Sequence, residues 1–318
     1  MEIIRGLQNL TKTYHNPIIT LGNFDGVHAG HRRILERVKA ASDSAGGTSI
    51  VITFDPHPVK VVNPQRGLKI LTPFEIKAGL IEKTGMDVLL CIDFNKEFSS
   101  IAPDYFIEEI LVRRLGAAHI IVGHNYRFGK GKKGSTEVLR RRAAKFGFKF
   151  NVVRNVTSCG NVVSSSAIRN LLTRGHVGEA RKLLGRPYFI QSQVITGTGR
   201  GKTILQTPTA NLSLPDELVP KPGVYAVRVG VDGVIYDAVT NIGTNPTFCP
   251  TFGGGHTAYE VHLFNYDTHL VGKTIRVYFI KRLRDEKAFP TPEDLKAQIQ
   301  KDIARAKEIL AETPEIST

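Results

Sequence analysis

The sequence has 318 residues, 41% of them hydrophobic, and a formal net charge of +14. No apolar run reaches the roughly 18 residues of a membrane-spanning helix, so no membrane partner is predicted. Three cysteines, far apart along the chain, fit no zinc pattern and suit a reducing cytoplasm. The N-terminal residues lack the layout of a signal peptide, and we therefore expect a cytoplasmic protein. The length favours two domains.

The positive charge leaves two kinds of partner open. A basic protein can bind nucleic acid, or it can bind a small polyanionic substrate. The basic residues are spread along the chain, with local clusters at 140–142 and 281–282. Aromatic residues do not alternate with them as they do in proteins that bind single strands. We therefore expect no nucleic acid as the main ligand.

A strand, a glycine-rich turn and a helix follow one another near the N-terminus. The apolar run 17–21 predicts a buried strand, and apolar residues at helical spacing over 32–41 predict a helix. Between them lies Gly22-Asn-Phe-Asp-Gly-Val-His-Ala-Gly-His31, where the glycines let the backbone approach a ligand. Helix N-termini bind phosphate, and His28 and His31 share one helical face. The pair can donate hydrogen bonds to phosphate oxygens, although a buried turn with incidental histidines is the alternative.

Further apolar runs predict three more strands in the first half, at 48–54, 87–92 and 119–123. They alternate with predicted helices at 71–81, where Thr72 is the N-cap, and 100–111. This alternation predicts an α/β fold with a parallel sheet. Ligands of such sheets bind at the carboxyl ends of the strands. The second strand ends in Asp55-Pro-His-Pro58, which places His57 and Pro58 in a stiff loop at that edge, or in a structural turn.

Two later segments of the first half carry groups that bind phosphate. The fourth strand leads into loop 124–134, with three glycines and four positive charges, which can hold phosphate or remain a solvated loop. The serines at 164–166 can cap the next helix, and Arg169 can bind phosphate oxygens in a bidentate manner. A helix that is capped and has no ligand is the alternative.

The character of the sequence changes after Gly185, which ends a helix shortly before Pro187. We place a domain boundary there, giving domains 1–185 and 186–318. Short strands without intervening helices then predict an antiparallel barrel, with a hairpin turn at Asp232-Gly233. A helix that starts at Pro292, capped by Thr291, closes the chain.

Two motifs stand early in the second half. Gly197-Thr-Gly-Arg-Gly-Lys202 is neither a Walker P-loop nor a dinucleotide fingerprint, and by itself it also fits a plain turn. Pro208-Thr-Ala-Asn211 places the hydroxyl of Thr209 and the amide of Asn211 on one face of a strand. Oxygen atoms of that kind are ligands for Mg²⁺.

In sequence the chain resembles the family of bacterial bifunctional riboflavin kinases/FMN adenylyltransferases over nearly its whole length. The first half matches the family's His-x-Gly-His, Thr-Phe-x-Pro-His-Pro, Tyr-Arg-Phe-Gly and Ser-Ser-Ser-x-Ile-Arg segments, and the second half its Gly-x-Gly-Arg-Gly and Pro-Thr-Ala-Asn motifs. The resemblance implies a Rossmann-like nucleotidyltransferase domain of α/β class, followed by an antiparallel β-barrel with a terminal helix. It also implies that riboflavin is phosphorylated to FMN and FMN is adenylylated to FAD, each with ATP and Mg²⁺.

The resemblance further implies roles for particular residues. The implied catalytic residues are His28, His31 and Arg169 for adenylyl transfer and Glu260 as the base of the kinase. The implied nucleotide contacts are Gly22, Asn23, Phe24, Asp25, Ser165, Ser166, Gly197, Gly199, Arg200 and Lys202. The implied flavin contacts are His57, Pro58, Asn125, Arg127, Asn241 and Arg284, and the implied Mg²⁺ ligands are Thr209 and Asn211.

The chain departs from the family pattern at three places. Asn125 stands where many members have Asp, Ala167 where some carry a basic residue, and Gln206-Thr207 where Gly-Phe is common. Two other functions stay open from the sequence: a nucleic-acid-binding protein that uses its basic surface, and an adenylyltransferase of another phosphorylated substrate. The Pro-Thr-Ala-Asn half speaks against the latter, which needs no kinase domain. A homo-oligomer also stays open.

Overall fold

The computed structural model describes residues 1–158, 160–196, 210–213, 215–243, 258–266 and 269–316. The chain divides into two compact units, Met1–Ser165 and Ser166–Thr318. No helix in the described ranges is long and apolar enough to cross a membrane.

The first unit is built on a parallel sheet of six strands in the order β1-β4-β3-β2-β5-β8. Its strands are β1 (Glu2–Arg5), β2 (Ile18–Leu21), β3 (Ser49–Asp55), β4 (Val88–Asp93), β5 (His119–Gly123) and β8 (Lys149–Val153). Two short hairpins stand apart from it, formed by β6 (Arg127–Phe128) with β7 (Gly134–Ser135) and by β9 (Thr157–Ser158) with β10 (Asn161–Val162). The parallel sheet confirms the predicted fold class of this half.

Helices cover both faces of the sheet. They are α1 (Ala29–Ser44), α2 (Pro58–Val62), α3 (Phe74–Glu82), α4 (Lys96–Ser99), α5 (Pro103–Tyr105), which continues as π-type turns over Phe106–Arg114, and α6 (Thr136–Phe146). Single 3₁₀ turns lie at Leu7–Asn9, Pro64–Arg66 and Lys130–Lys132. Successive residues of β3 enter different cores, because side chains of a strand alternate between faces. Ile50 and Ile52 pack on the side of the π-type turns, whereas Val51 packs on the side of α1 and α3.

The predicted start of α3 is wrong. The helix begins at Phe74, with Pro73 rather than Thr72 in the capping position. The Thr72 hydroxyl instead accepts a hydrogen bond from the Gly26 backbone N–H at 2.9 Å. The Thr72 side chain, which the local sequence pattern predicted to cap α3, therefore bonds to the loop after β2 instead.

The direction of the strand order reverses at β2. Strand β3 pairs with one side of β2 and β5 with the other, so the chain crosses over between β4 and β5. Ligands of open α/β sheets bind outside the carboxyl ends of strands at such a reversal. The glycine-rich loop 22–28 leaves β2 at this point.

The second unit is a closed antiparallel barrel in the order β11-β12-β15-β14-β13-β16. Its strands are β11 (Tyr188–Ile195), β12 (Ala210–Leu212), β13 (Gly223–Val231), β14 (Val234–Gly243), β15 (Ala258–Leu263) and β16 (Thr274–Arg284). The hairpin at Asp232-Gly233 is confirmed, because Val231 pairs with Val234. The terminal helix α9 (Pro292–Ala311) is confirmed together with its cap, since the Thr291 hydroxyl accepts from the Asp294 N–H at 3.1 Å.

Two helices precede the barrel, α7 (Ser165–Thr173) and α8 (Val177–Leu184). Gly185 ends α8 in a left-handed conformation, as the sequence predicts. The Leu172 carbonyl of α7 accepts from the Lys221 N–H at 2.9 Å, and α8 packs against β11 and β16. These contacts explain why the compact second unit starts earlier in the chain than the predicted boundary at 185.

Helix α9 covers part of the outer wall of the barrel. Its residues Ile303, Ala306, Ile309 and Leu310 share a core with the outward-facing Val224, Ala226, Val239 and Ile280. The buried Arg228 donates to the carbonyls of Leu310 and Thr313 at 2.9 and 2.8 Å, at the end of the helix. A cation at a helix C-terminus satisfies carbonyl groups that lack partners within the helix.

Candidate active sites

The two predicted catalytic histidines of the first unit lie against each other at the start of α1. His28 is the N-cap residue, and its Nδ1 accepts from the His31 backbone N–H at 3.2 Å. The two imidazole rings are stacked, with centroids 3.6 Å apart and planes inclined by 16°. Because Nδ1 of His28 accepts a hydrogen bond, the proton of the neutral ring sits on Nε2, which is then a donor. The site therefore combines a helix N-terminus with two adjacent imidazoles.

The loop between β2 and α1 has an unusual backbone. Phe24 and Val27 have positive φ angles, 48° and 36°, which residues with a Cβ rarely adopt. The Phe24 ring is buried and meets the His31 ring edge-on at 5.1 Å. At Gly30 a Cβ would approach the His28 ring to 3.2 Å, so the absence of a side chain leaves room for that ring. Strained backbone of this kind persists where the surroundings hold it, often at functional sites.

Buried polar groups hold this loop on its neighbours. One carboxylate oxygen of the buried Asp25 accepts from the backbone N–H groups of Leu71 and Thr72 at 2.8 and 3.0 Å. The Asp25 carbonyl in turn accepts from the Ser165 hydroxyl at 2.8 Å. The side chains of Asp25 and Ser165, two of the predicted nucleotide contacts, thus bond to the protein itself in this structure. Gly22 is half-buried and Asn23 is exposed.

The predicted phosphate-binding residues of the Ser-Ser-Ser-x-Ile-Arg segment lie on α7. The helix starts at Ser165, Ser166 is exposed, and Arg169 follows one turn later and is half-buried. Ser165 belongs to the first compact unit and Arg169 to the second.

The predicted flavin contacts of the first unit stand where strands end. His57 follows β3 and is the N-cap of α2, its Nδ1 accepting from the Val59 N–H at 3.2 Å, and Pro58 opens that helix. Asn125 and Arg127 are exposed after the end of β5. Since β3 and β5 are the two neighbours of β2, all these loops leave the same edge of the sheet as the histidine loop.

A chain of aromatic rings lies at this edge, and the sequence analysis did not find it. Neighbouring rings have centroids 5.5 to 6.0 Å apart, and the chain comprises Phe54, Phe94, Phe98, Phe106, Phe128 and Tyr126. Phe54 and Phe94 stand at the ends of β3 and β4. Burial raises the pKa of the Tyr126 phenol, which stays neutral. The sequence feature that could have predicted this cluster is the Phe that recurs at the carboxyl ends of adjacent strands.

The barrel brings three predicted residues of the second site side by side. Glu260 on β15 is the register partner of Asn211 on β12 and of Asn241 on β14. Cross-strand partners project from the same face of a sheet, so the three side chains form one polar row. All three are half-buried, while Tyr259 and Val261 on either side of Glu260 are buried on the opposite face. We call Asn211, Glu260 and Asn241 the polar row.

The row is continuous with the position of Arg284. Asn241 pairs with Val224 on β13, and Val224 pairs with Arg284 at the end of β16. The Arg284 guanidinium forms a bidentate ion pair with the buried Asp302 of α9, with its Nη2 2.8 Å from one carboxylate oxygen and its Nε 3.1 Å from the other. Arg284 therefore joins the end of β16 to the terminal helix.

Some predicted residues fall outside the described part of the chain. These are the glycine-loop residues and one predicted Mg²⁺ ligand: Gly197, Gly199, Arg200, Lys202 and Thr209. In the described ranges no group of three or more His, Cys, Asp or Glu side chains is placed to hold a metal ion.

Comparison with known proteins gives one consistent result. A family model described as FAD synthetase matches residues 10–167, and one described as riboflavin kinase matches residues 184–310. The bifunctional riboflavin kinase/FMN adenylyltransferase of Buchnera aphidicola is 35% identical and aligns over 95% of this chain and 97% of its own. The protein of that name from Pseudomonas fluorescens is also 35% identical, over 98% of both chains.

A solved structure has the same architecture along its whole length. It is a crystal structure from Streptococcus pneumoniae, described as a macrolide-efflux protein, with 28% sequence identity and a TM-score of 0.86. The match covers 96% of this chain and 99% of that one.

Proposed function

The chain belongs to the family of bifunctional riboflavin kinases/FMN adenylyltransferases, and from that premise we propose which of its residues carry each reaction. The protein phosphorylates riboflavin to FMN with ATP, and it transfers the adenylyl group of a second ATP to FMN, giving FAD and pyrophosphate. We assign adenylyl transfer to residues 1–185 and phosphorylation to residues 186–318. The order of the two family matches along the chain supports this division.

Adenylyl transfer needs orientation and charge stabilisation more than acid–base chemistry. A phosphate oxygen of FMN attacks the α-phosphorus of ATP, and the bond to pyrophosphate breaks with the electron pair leaving on pyrophosphate. The nucleophile is already an anion, so no side chain has to remove a proton. Negative charge that builds up on the α-phosphate and on the leaving group must be stabilised by donors that are already in position.

The stacked histidines at the start of α1 are suited to this task. His28 donates from Nε2, since its Nδ1 is bonded to the His31 N–H, and the stack holds His31 beside it. The N-terminus of α1 adds a partial positive charge, which favours phosphate. We assign Arg169 a bidentate contact to phosphate oxygens and Ser166 a hydroxyl contact. The buried side chains of Phe24 and Asp25 stabilise the loop, through the ring contact of Phe24 with His31 and the hydrogen bonds that Asp25 accepts.

The flavin of FMN would lie at the same edge of the sheet. Asn125 and Arg127 offer hydrogen bonds there, and His57 with Pro58 forms another wall. The aromatic chain has three half-buried members, Phe94, Phe98 and Tyr126, and their apolar rings suit contact with a planar isoalloxazine ring. Ligand pockets commonly combine an apolar lining with a few placed polar groups.

Phosphorylation of riboflavin needs a group that accepts the proton of its terminal hydroxyl. We assign this role to Glu260, because it stands at the centre of the polar row between two amides. The hydroxyl oxygen attacks the γ-phosphorus of ATP, the proton passes to the carboxylate of Glu260, and ADP leaves. Asn241 and Arg284 would then lie on the flavin side of the row.

The polar row also fits a magnesium ion. Mg²⁺ prefers oxygen ligands, and the Asn211 amide and the Glu260 carboxylate project from neighbouring strands on one face. We propose that Asn211 and Thr209 hold the ion together with oxygens of ATP. When bound, the ion neutralises phosphate charge during transfer.

We further propose that the partners of this protein are riboflavin, FMN and ATP rather than nucleic acid. On this proposal the net charge of +14 reflects small anionic substrates and a solvated basic surface. A cytoplasmic location, where these substrates and reduced thiols coexist, is part of the same proposal.

The assignment is tested by Glu260→Gln, which keeps the shape of the side chain and removes its basicity. Purified protein is incubated with Mg-ATP and either riboflavin or FMN, and both products are resolved over time. We expect the variant to form FAD from FMN at the wild-type rate and to form FMN from riboflavin at least about 100-fold more slowly. The exposed Glu312→Gln is the matched control and should leave both reactions unchanged. Loss of both reactions in Glu260→Gln would contradict the division of residues.

A further inference from the structure

A buried lysine lies directly beneath the adenylyl-transfer site. Lys77 belongs to α3 and is 6% exposed, although lysine is almost never buried without partners. Its ammonium group donates to the Thr53 hydroxyl at 3.0 Å, to the Phe54 carbonyl at 3.2 Å and to the Asn23 carbonyl at 3.3 Å. All three of its donor positions are therefore used within the protein.

The acceptors of Lys77 belong to two separate segments, the loop after β2 and the end of β3. Asn23 is in the loop that leads from β2 to His28, and Phe54 is at the end of β3, shortly before His57. The Thr53 hydroxyl completes the link, since it accepts from Lys77 and donates to the same Asn23 carbonyl at 3.2 Å. One side chain from a third element thus fixes the spacing between the histidine loop and the end of β3, which leads to His57.

Packing alone does not explain a lysine at this position. Burial of an amine lowers its pKa and costs free energy, and nearby Cys91, Asp25 and Asp55 act in the opposite direction. An apolar side chain of the same length would fill the space without that cost. An apolar side chain cannot donate to the carbonyl groups of Asn23 and Phe54, which would then lie near the sheet edge without these donors.

We propose that Lys77 is a positioning residue for adenylyl transfer, which holds the histidine loop and the His57 loop at the separation that the reaction requires. This inference rests on the proposed role of the first unit. Lys77 touches no substrate, and it acts through the backbone of Asn23 and Phe54. A shift of about 1 Å in a reacting group can lower the rate about 100-fold. Loss of the hydrogen bonds from Lys77 to Asn23 and Phe54 would therefore reduce turnover.

The test compares Lys77→Met, which keeps the length of the chain and removes all donors, with Lys77→Gln, which keeps two. Lys83→Met, at the exposed end of the same helix, is the matched control. The full-length variants are assayed for kcat and KM with FMN and Mg-ATP, and each rate is divided by the folded fraction, taken from the amplitude of thermal unfolding. Riboflavin phosphorylation is measured in the same preparations.

We expect Lys77→Met to lower kcat for FAD formation about 10- to 100-fold, with a smaller change in KM, while Lys77→Gln regains part of the loss and Lys83→Met is unchanged. Phosphorylation of riboflavin should stay at the wild-type level in all three. An unchanged kcat per folded molecule in Lys77→Met would overturn the inference. If that variant does not fold, Lys77→Gln decides: a reduced kcat with normal KM supports the inference, and a normal kcat overturns it. Wild-type protein that fails to adenylylate FMN would instead refute the proposed function of the first unit.

Discussion

The contact between His28 and His31 allows the proposed catalytic role of His28 to be separated from its structural role. His28→Ala removes the N-cap of α1, the stacked ring and the Nε2 donor together. Loss of an N-cap costs about 1 kcal/mol, and loss of a stacked ring pair costs about 1 kcal/mol more. Asparagine is one of the best N-cap residues, so His28→Asn should regain the capping part.

The two variants therefore differ in stability but not in catalysis. For a unit of this size each 1 kcal/mol lowers the unfolding midpoint by roughly 2 to 4 °C, so His28→Ala should unfold about that much earlier than His28→Asn. Both should form FAD from FMN about 100- to 1,000-fold more slowly than wild type, because both lack the donor to the developing charge. Thermal unfolding and single-turnover formation of FAD measure the two effects. Near-normal turnover in His28→Asn would show that His28 only caps the helix.

Two further predictions concern the barrel. Asp302→Asn removes the anionic partner of the Arg284 guanidinium at a largely buried site, and we expect it to lower the free energy of unfolding in urea by about 3 kcal/mol. An unchanged urea midpoint would mean that this ion pair does not help to hold α9. Hydrogen bonds from Arg282 and Lys221 hold the pKa of Asp285 at about 2, below its usual 3.8. A carboxyl whose pKa is lower in the folded state stabilises the fold above pH 3.8 and loses that contribution as the pH falls towards 2. Asp285→Asn should therefore flatten the decline of the unfolding midpoint over this pH window, and a decline as steep as in wild type would argue against the pair.

The sequence analysis predicts the strands that are buried on both faces and misses those at the edges. In β3, six of seven residues are buried, which gives the continuous apolar run of a central parallel strand. The edge strands β1 and β8 have only one neighbour each, and their residues are exposed or half-buried except for the buried Ile4. Short segments with mixed burial carry a weak pattern, and pairing with β4 and β5 decides their structure.

In the candidate sites, too, local contacts are predictable from the sequence and contacts made by tertiary packing are not. His28 and His31 are predictable as a pair because their contact is local, within one turn of α1. The polar row is not, because Asn211, Asn241 and Glu260 meet only through the register of three strands. Lys77 has the sequence signature of an ordinary helix surface, and only the packing of α3 against the loop after β2 and the end of β3 reveals it as buried.

The most direct test of the account is whether two damaged chains complement each other. With riboflavin, Glu260→Gln should form very little FAD because FMN formation is slowed, and His28→Asn should accumulate FMN. A mixture of the two with riboflavin and Mg-ATP should again produce FAD, because FMN made by the barrel of one chain can diffuse to the histidine loop of the other. If each variant loses both reactions and the mixture stays inactive, the two reactions do not rest on separate sets of residues.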